Sequence, residues 1–196
     1  MRTPEQTKDL IISKAFGIFN TKGYRAASLS DITKASGITK GAIYGHFQNK
    51  DEVAVAGFEY ATKKIIAKLQ VLISEAKDAP EKLKVITNYY ADYITNPPFT
   101  GGCPIINTSI EADDNHPELR TRVVRFIGIM KDSLKKIVYR GIKEGQITKD
   151  LNVEEFAMLF YAAIEGGIVL SRVEGDNATY EIVRKRLLKE IDAVTI

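Results

Sequence analysis

An all-α chain of about nine helices is what this sequence predicts, on three observations. Apolar residues recur three and four apart over most of the length, no segment shows the alternation of a half-buried strand, and capping and breaking residues punctuate the pattern at helix-sized intervals. With 196 residues, 44% of them hydrophobic and 27% charged, the chain can bury a core and is too apolar for wholesale disorder. The single cysteine, Cys103, forbids an intramolecular disulfide and suits a reducing compartment. The opening Met1-Arg2-Thr3-Pro4-Glu5 lacks the apolar core of a secretory leader. The longest near-apolar run, Phe156 to Leu170, is short for a bilayer and is broken by Glu165. A cytoplasmic protein without a membrane partner is the expectation.

The first helix opens on Thr3-Pro4-Glu5-Gln6, a capping-box pattern with proline at the first helical position, and stops at Gly23. Ile11, Ala15, Ile18 and Phe19 mark its buried face. Two short helices follow, 29–36 and 40–46, parted by Gly37-Ile38. A long helix then runs from Lys50 into the seventies on the stripe Val55, Phe58, Thr62, Ile65, Leu69, Leu72, Ala76. Asp78-Ala79-Pro80 restarts the chain into a helix with Leu83, Ile86, Tyr90 and Ile94 inward, which Pro97-Pro98 ends. Gly101-Gly102-Cys103-Pro104 opens a shorter helix to about Glu111. His116-Pro117 begins a long one, with Leu119, Val123, Ile127, Met130, Leu134 and Ile137 inward, which Gly145 closes. Asn152-Val153-Glu154-Glu155 caps a helix to Glu174, and after Gly175-Asp176-Asn177 the last helix carries Tyr180, Val183, Leu187 and Ile191.

Charge is uneven along this plan. The first 50 residues hold eight lysines and arginines against three acids, a net of +5, so the whole-chain +3 leaves −2 for the remaining 146. A basic head on a slightly acidic body suits an N-terminal part that meets a polyanion. The helix 117–145 also carries eight lysines and arginines, read here as a solvated outer face.

The informative stretch is 28–47. Ser28 and Asp31 have cap spacing for the first short helix, and Ile32 and Ala35 are expected to pack inward. Gly37 relieves the turn, while Ile38 plugs the angle between the helices. Thr39 caps the second short helix, whose free N–H groups and positive end suit a DNA phosphate, and Lys40 adds charge there. Gly41, Ala42 and Gly45 are small, so that backbone can approach a groove floor; the two glycines cost about 1 kcal/mol each in helix propensity, which such an approach explains. Tyr44 and His46 are placed to hydrogen-bond phosphates, Ile43 and Phe47 to anchor the helix, and Lys50 to add a further phosphate contact.

From Ile11-Ile12 through Ala15, Ile18-Phe19, Lys22-Gly23-Tyr24, Ser28, Ile32, Ala35, Gly37 to Tyr44, His46-Phe47 and Lys50-Asp51-Glu52, the sequence resembles the TetR (TetR/AcrR-like) family of bacterial regulators. The motif covers about a quarter of the chain. The resemblance implies that Lys40 to His46 is a recognition helix in a three-helix DNA-binding head, residues 1–48. It implies that residues 49–196 form an effector-binding body, dimerised on its last two helices through a four-helix interface. Its implied partners are an operator in double-stranded DNA, a second copy of the chain and a small-molecule effector. Gly45 departs from the family, whose members often carry a larger residue there, so fewer base contacts are expected.

In the body, Phe156 to Leu170 is apolar nearly all round, and Gly166-Gly167 would let two such helices approach. Phe156, Phe160, Ala163, Gly166, Gly167 and Leu170, with Val183 and Leu187 of the last helix, are the expected dimer surface. Tyr90, Tyr93, Phe99, Cys103, Asn107, Phe126, Met130 and Phe160 are the expected lining of an effector cavity for a small hydrophobic or electrophilic molecule. Cys103, at a helix start, has a sensor's position, with plain packing the favoured alternative. No metal-ligand spacing, phosphate-binding glycine loop or nucleophile motif occurs, so neither catalysis nor a cofactor is expected. The group Glu111, Asp113, Asp114 and His116 is read as helix ends facing water. The reading is therefore a homodimeric repressor released from a palindromic operator by an effector. Its alternatives are the same dimer governed by abundance or a protein partner, and an enzyme on a borrowed fold.

Overall fold

The computed structural model describes residues 2–196. Among them run α1 (Pro4–Lys22), α2 (Leu29–Ser36), α3 (Lys40–Tyr44), α4 (Lys50–Glu75), α5 (Ala79–Thr95), α6 (Pro104–Asn115), α7 (Pro117–Lys143), α8 (Val153–Glu174) and α9 (Ala178–Val194). Described residues outside the helices form turns and irregular connections, apart from one antiparallel bridge between Ile147 and Thr195. The all-α reading is right, and local chemistry sets the boundaries. Thr3 Oγ1 accepts from the Gln6 amide at 3.2 Å while Gln6 Oε1 accepts from the Thr3 amide at 3.0 Å, closing the box at the start of α1. Asn152 caps α8 by accepting from the Glu155 amide at 3.2 Å, and Gly175, at φ +79°, ends it in the left-handed region.

Two compact units result, one of Met1–Ile65 with Phe99–Arg125, the other of Ile66–Pro98 with Phe126–Ile196. The expected boundary after residue 48 divides the chain in sequence order, whereas packing groups the head with the first part of α4 and with α6. Ile11, Ala15, Ile32, Ile38, Ile43, Phe47 and Val53 form the buried cluster of the head. Gly57 lets α4 lie close to α1, since a Cβ there would stand 3.3 Å from the Phe16 backbone.

In the second unit α5, α8 and α9 pack together around Tyr180. The Ser171 hydroxyl accepts from the Tyr180 amide at 2.7 Å, and the Tyr180 hydroxyl donates to the Thr87 carbonyl at 3.0 Å. Burial pushes the Tyr180 phenol well above its usual range, so it stays a neutral donor. Gly167 belongs to this packing: a Cβ there would meet the Tyr180 ring at 2.9 Å and Val183 at 3.2 Å.

Several expectations need correcting. Ala35 is exposed, because eight-residue α2 buries only Ile32 fully. On α1 the buried register is Ile11, Ala15, Phe16 and Asn20, with Ile18 and Phe19 half-buried at its edge. On α7, Phe126 and Val138 are buried and Ile127 is half-buried. The α6 helix continues past Glu111 to Asn115, and α3 stops at Tyr44 rather than residue 46, because the backbone tightens through Gly45. The side chain of Ile94 lies outside the described residues. The α8 helix extends the apolar run at both ends, and its 22 residues are long and apolar enough to cross a bilayer by length and composition; Phe160, Ile164 and Ile168 are nonetheless buried within the chain.

Candidate nucleic-acid interface

Short polar side chains build residues 28–47 by holding backbone groups that two brief helices leave unpaired. Ser28 Oγ accepts from the Asp31 amide at 3.1 Å, and Asp31 Oδ2 accepts from the Ser28 amide at 2.9 Å and from the Ser28 hydroxyl at 2.8 Å. Lys22 Nζ closes on the other Asp31 oxygen at 2.7 Å. The Lys22 ammonium, with the Ser28 hydroxyl and amide, holds the Asp31 carboxyl well below the usual carboxylate range. At the far end of α2, Gly37 sits at φ +69° and donates to the Thr33 carbonyl at 2.9 Å. Thr39 Oγ1 then accepts from the Ala42 amide at 3.3 Å, starting α3.

Anchoring is one-sided. Ile43 and Phe47 are 1% and 6% exposed and fix α3 to the head cluster, while Lys40, Gly41, Ala42, Tyr44 and Gly45 face outward; Tyr44 is 54% exposed and His46 half-buried. At Gly41 nothing stands within 4 Å of where a Cβ would lie, and at Gly45 the nearest atom is the Ala42 carbonyl oxygen at 3.4 Å. Packing inside the chain does not demand glycine at 41. The exposed face is thus a short, smooth helix edge bearing one ammonium, one phenol and one methyl.

Lys50 is engaged within the chain. Its ammonium donates to the Tyr24 carbonyl at 2.8 Å and the Ala27 carbonyl at 3.1 Å, and lies 4.1 Å from the Tyr24 ring centroid. It therefore ties the start of α4 to the turn after α1. At the start of α4, Asn49 Oδ1 accepts from the Glu52 amide at 2.9 Å, and Glu52 Oε2 accepts from the Gln48 amide at 2.8 Å.

The residues expected to line one effector cavity fall in two units. Phe99, Cys103 and Asn107 lie in the first; Tyr90, Tyr93, Phe126, Met130 and Phe160 lie in the second. Asn107 borders a cavity of about 30 Å³ in the first unit, and Met130 one of about 80 Å³ in the second, with Ile66, Leu69, Gln70, Ile86 and Leu134. Both are small beside the roughly 300–1,000 Å³ of a drug-sized site. Cys103 is 2% exposed at the N-cap of α6. Tyr89 packs edge-to-face on Tyr90 and Tyr93 of α5, and those two rings are tilted 35° to each other, with centroids 5.0 to 5.9 Å apart across the cluster.

The expected dimer surface divides as well. Phe160, Gly167 and Leu187 are buried within the chain, and Phe156, Ala163 and Val183 are half-buried, so the first three are not a surface at all. Exposed on α8 are Gly166 and Leu170 from that set, together with Leu159, Ala162 and Val173, one stripe at three- and four-residue spacing. Ile182 of α9, at 70% exposure, adds to the unpartnered apolar surface.

Sequence reasoning missed Asn20, whose signal was a polar residue in the buried register of α1. It also read Glu111 as facing water, whereas Glu111 Oε2 accepts from the Arg25 amide at 3.1 Å. His116 packs edge-on to the Tyr24 ring at 4.0 Å. The side chains of Asp113 and Asp114 lie outside the described residues. Among the described residues no group of three His, Cys, Asp or Glu is placed to hold a metal.

Comparison with known proteins agrees with this geometry. Residues 11–56 match the family described as bacterial regulatory proteins, tetR family, and residues 79–187 match the tetracyclin repressor-like C-terminal domain. The crystal structure of a TetR transcriptional regulator from Chloroflexus aurantiacus J-10-FL superposes with a TM-score of 0.94 at 32% identity, covering 100% of this chain and 98% of that one. An HTH-type transcriptional regulator of Mycobacterium tuberculosis is 26% identical over 181 residues, 91% of this chain and 90% of the relative. The HTH-type transcriptional repressor DhaR of Mycobacterium sp. (strain GP1) is 25% identical over 174 residues, 88% and 85% of the two chains.

Proposed function

Because the chain belongs to the TetR family of bacterial DNA-binding transcriptional regulators, we propose that it is a homodimeric repressor that reads a palindromic operator with α3 and leaves it when a small effector binds the body. The observation that carries this reading is the outward face of α3. Thr39 starts the helix and Ile43 and Phe47 fix it, while Lys40, Gly41, Ala42, Tyr44 and Gly45 remain uncovered. A face without long side chains lets backbone approach base edges, where the Ala42 methyl suits a thymine methyl and Lys40 and Tyr44 suit flanking phosphates. Ser28 is spent on its cap and acts through α2. Lys50 keeps one donor beyond its two carbonyls for a phosphate.

For the dimer, the uncovered stripe Leu159, Ala162, Gly166, Leu170 and Val173, with Ile182, supports association through α8 and α9. The relative DhaR is named a repressor, and repression is proposed here on that likeness. The DNA stoichiometry tests the reading. Duplexes that the protein selects from a random pool should carry two half-sites about one helical turn, roughly 34–36 Å, apart or a multiple of it, and should bind two chains. An effector must then bind the free dimer more tightly than the operator-bound dimer, by the same factor by which it weakens DNA binding. One chain per selected duplex would end the dimer reading.

A further inference from the structure

Residues 99–125 pack with the head, yet in the chain they lie between two stretches of the second unit, 66–98 and 126–196. Ring contacts of Phe99 with Phe16 and of His116 with Tyr24, at 5.0 and 4.0 Å between centroids, are part of their grip on the head, and its polar part gathers at the C-terminal end of α1 and the turn after it. Asn20, 7% exposed there, donates from Nδ2 to the Thr100 carbonyl at 2.8 Å and the Gly102 carbonyl at 2.9 Å. Asn107 of α6 answers from its own Nδ2, near the Asn20 carbonyl (3.1 Å), Asn20 Oδ1 (3.0 Å) and the Gly101 carbonyl (2.8 Å). The Asn20 carbonyl is one that the end of α1 leaves unpaired, so Asn107 acts as its cap. Gly101, at φ +91°, presses against the same turn, and a Cβ there would stand 2.5 Å from the Asn20 carbonyl oxygen. One turn further along α6, Glu111 accepts from the Arg25 amide in the α1–α2 connection.

Packing around these bonds is close at Gly101 and incomplete beside it. A cavity of about 30 Å³ lies in the seam, bordered by Phe16, Asn20, Tyr24, Phe58, Asn107 and Glu111 among others, room enough for a water. The polar part of the seam rests on directional contacts that are either made or lost, which is what a two-position element needs.

We infer that Asn107 and Glu111 are positioning residues for DNA recognition: they latch α1 and the turn into α2, and this latch sets how sharply the head discriminates DNA sequences. The inference rests on the DNA-binding reading of the head. None of these residues lies on α3, so the latch acts on specificity and not on charge. A latched head meets its specific site preorganised, whereas a released head must be ordered at the site, and that cost falls on the specific complex. A random duplex accepts many orientations and escapes it.

The test uses the full chain and two probes, a duplex that the wild type selects from a random-sequence pool and an unselected duplex of the same length. Asn107→Asp keeps the shape but cannot donate to the three carbonyl oxygens. It should bind the selected duplex about tenfold more weakly and the unselected one within about twofold of wild type, with an unchanged salt slope. Glu111→Ala should lose about threefold on the selected duplex alone, and Glu111→Gln, which still accepts from the Arg25 amide, should bind as wild type does. Wild-type discrimination retained in both Asn107→Asp and Glu111→Ala overturns the latch, as does a parallel loss on both duplexes. If Asn107→Asp does not fold, the Glu111 pair decides by the same ratio. A wild type that binds both duplexes equally would overturn the DNA reading itself.

Discussion

Glycine stands in α3 and in α8 for opposite reasons. At Gly41 the space where a side chain would go is open, and on the proposed reading the smoothness of α3 serves DNA outside the chain. At Gly167 that space is already filled by Tyr180 and Val183, so the small residue serves the chain's own packing. Its neighbour Gly166 has open space like Gly41. In a sequence all three read alike, as small residues in a helical pattern that cost propensity. What separates them is a partner thirteen or more residues away, and that partner decides whether a helix face is surface or core.

The sharpest way to break the comparison is to fill the two adjacent glycines of α8. Gly167→Leu drives side-chain atoms into Tyr180 and should cost at least about 1–3 kcal/mol, seen as a lowered thermal midpoint. Gly166→Leu meets nothing within its own chain and should lower the midpoint less than Gly167→Leu does. Equal losses would mean that the two faces of α8 are not distinct. Gly166→Glu extends the test: it should keep helicity but sediment as a monomer if the exposed stripe joins two chains.

A smaller effect is expected from Gly41→Ala in α3. Thermal stability should rise by about 1 kcal/mol or less, while affinity for a selected duplex falls, because the methyl stands where the groove floor approaches. Its counterpart Thr39→Ala removes the cap and should cost about 1 kcal/mol. A Gly41→Ala protein that gains stability and also keeps full affinity would place the DNA elsewhere.

The two lysines divide in the same way. Lys40→Ala should reduce the log–log salt slope of DNA binding by about 0.9 per chain, about 1.8 for a dimer on one duplex, with stability unchanged. Lys50→Ala should first lower the thermal midpoint, since its ammonium ties Tyr24 and Ala27 to α4. A slope change there as well would put its remaining donor on a phosphate. The smallest effect concerns Asp31, whose carboxyl is held low by Lys22 and Ser28. A depressed carboxyl stabilises the fold above the unfolded value of 3.8 and loses that contribution as pH falls through its folded value. Thermal midpoints of wild type and Asp31→Asn should therefore differ by a constant amount above about pH 5 and converge below 3.8. A constant difference down to the lowest accessible pH would remove the ion pair from the head's stability.

Much of the head was legible because its determinants are local. Ser28 and Asp31, Gly37, and Thr39 act within three or four residues of themselves, and the helix limits at 29–36 followed from them. The tightening at Gly45 did not follow, since a glycine after Tyr44 is compatible with either a helix or a turn. In the body, periodicity found every helix but could not say what each face meets. Phe160 and Leu187 turned inward against their own chain because α5, α8 and α9 close on Tyr180, a three-way contact spanning some ninety residues. Asn20 and Glu111 were invisible as a pair for the same reason, being joined to α6 and to the turn after α1 across more than eighty residues.

The central claim is that the uncovered face of α3 reads DNA. Ala42→Glu tests it most directly, because that side chain is exposed and its removal from the groove leaves the anchors Ile43 and Phe47 untouched. Selection from a random-sequence duplex pool should enrich an inverted repeat with the wild type and nothing with Ala42→Glu, at closely similar thermal midpoints. Enrichment of the same sequence by both proteins, with equal affinity, would contradict the account.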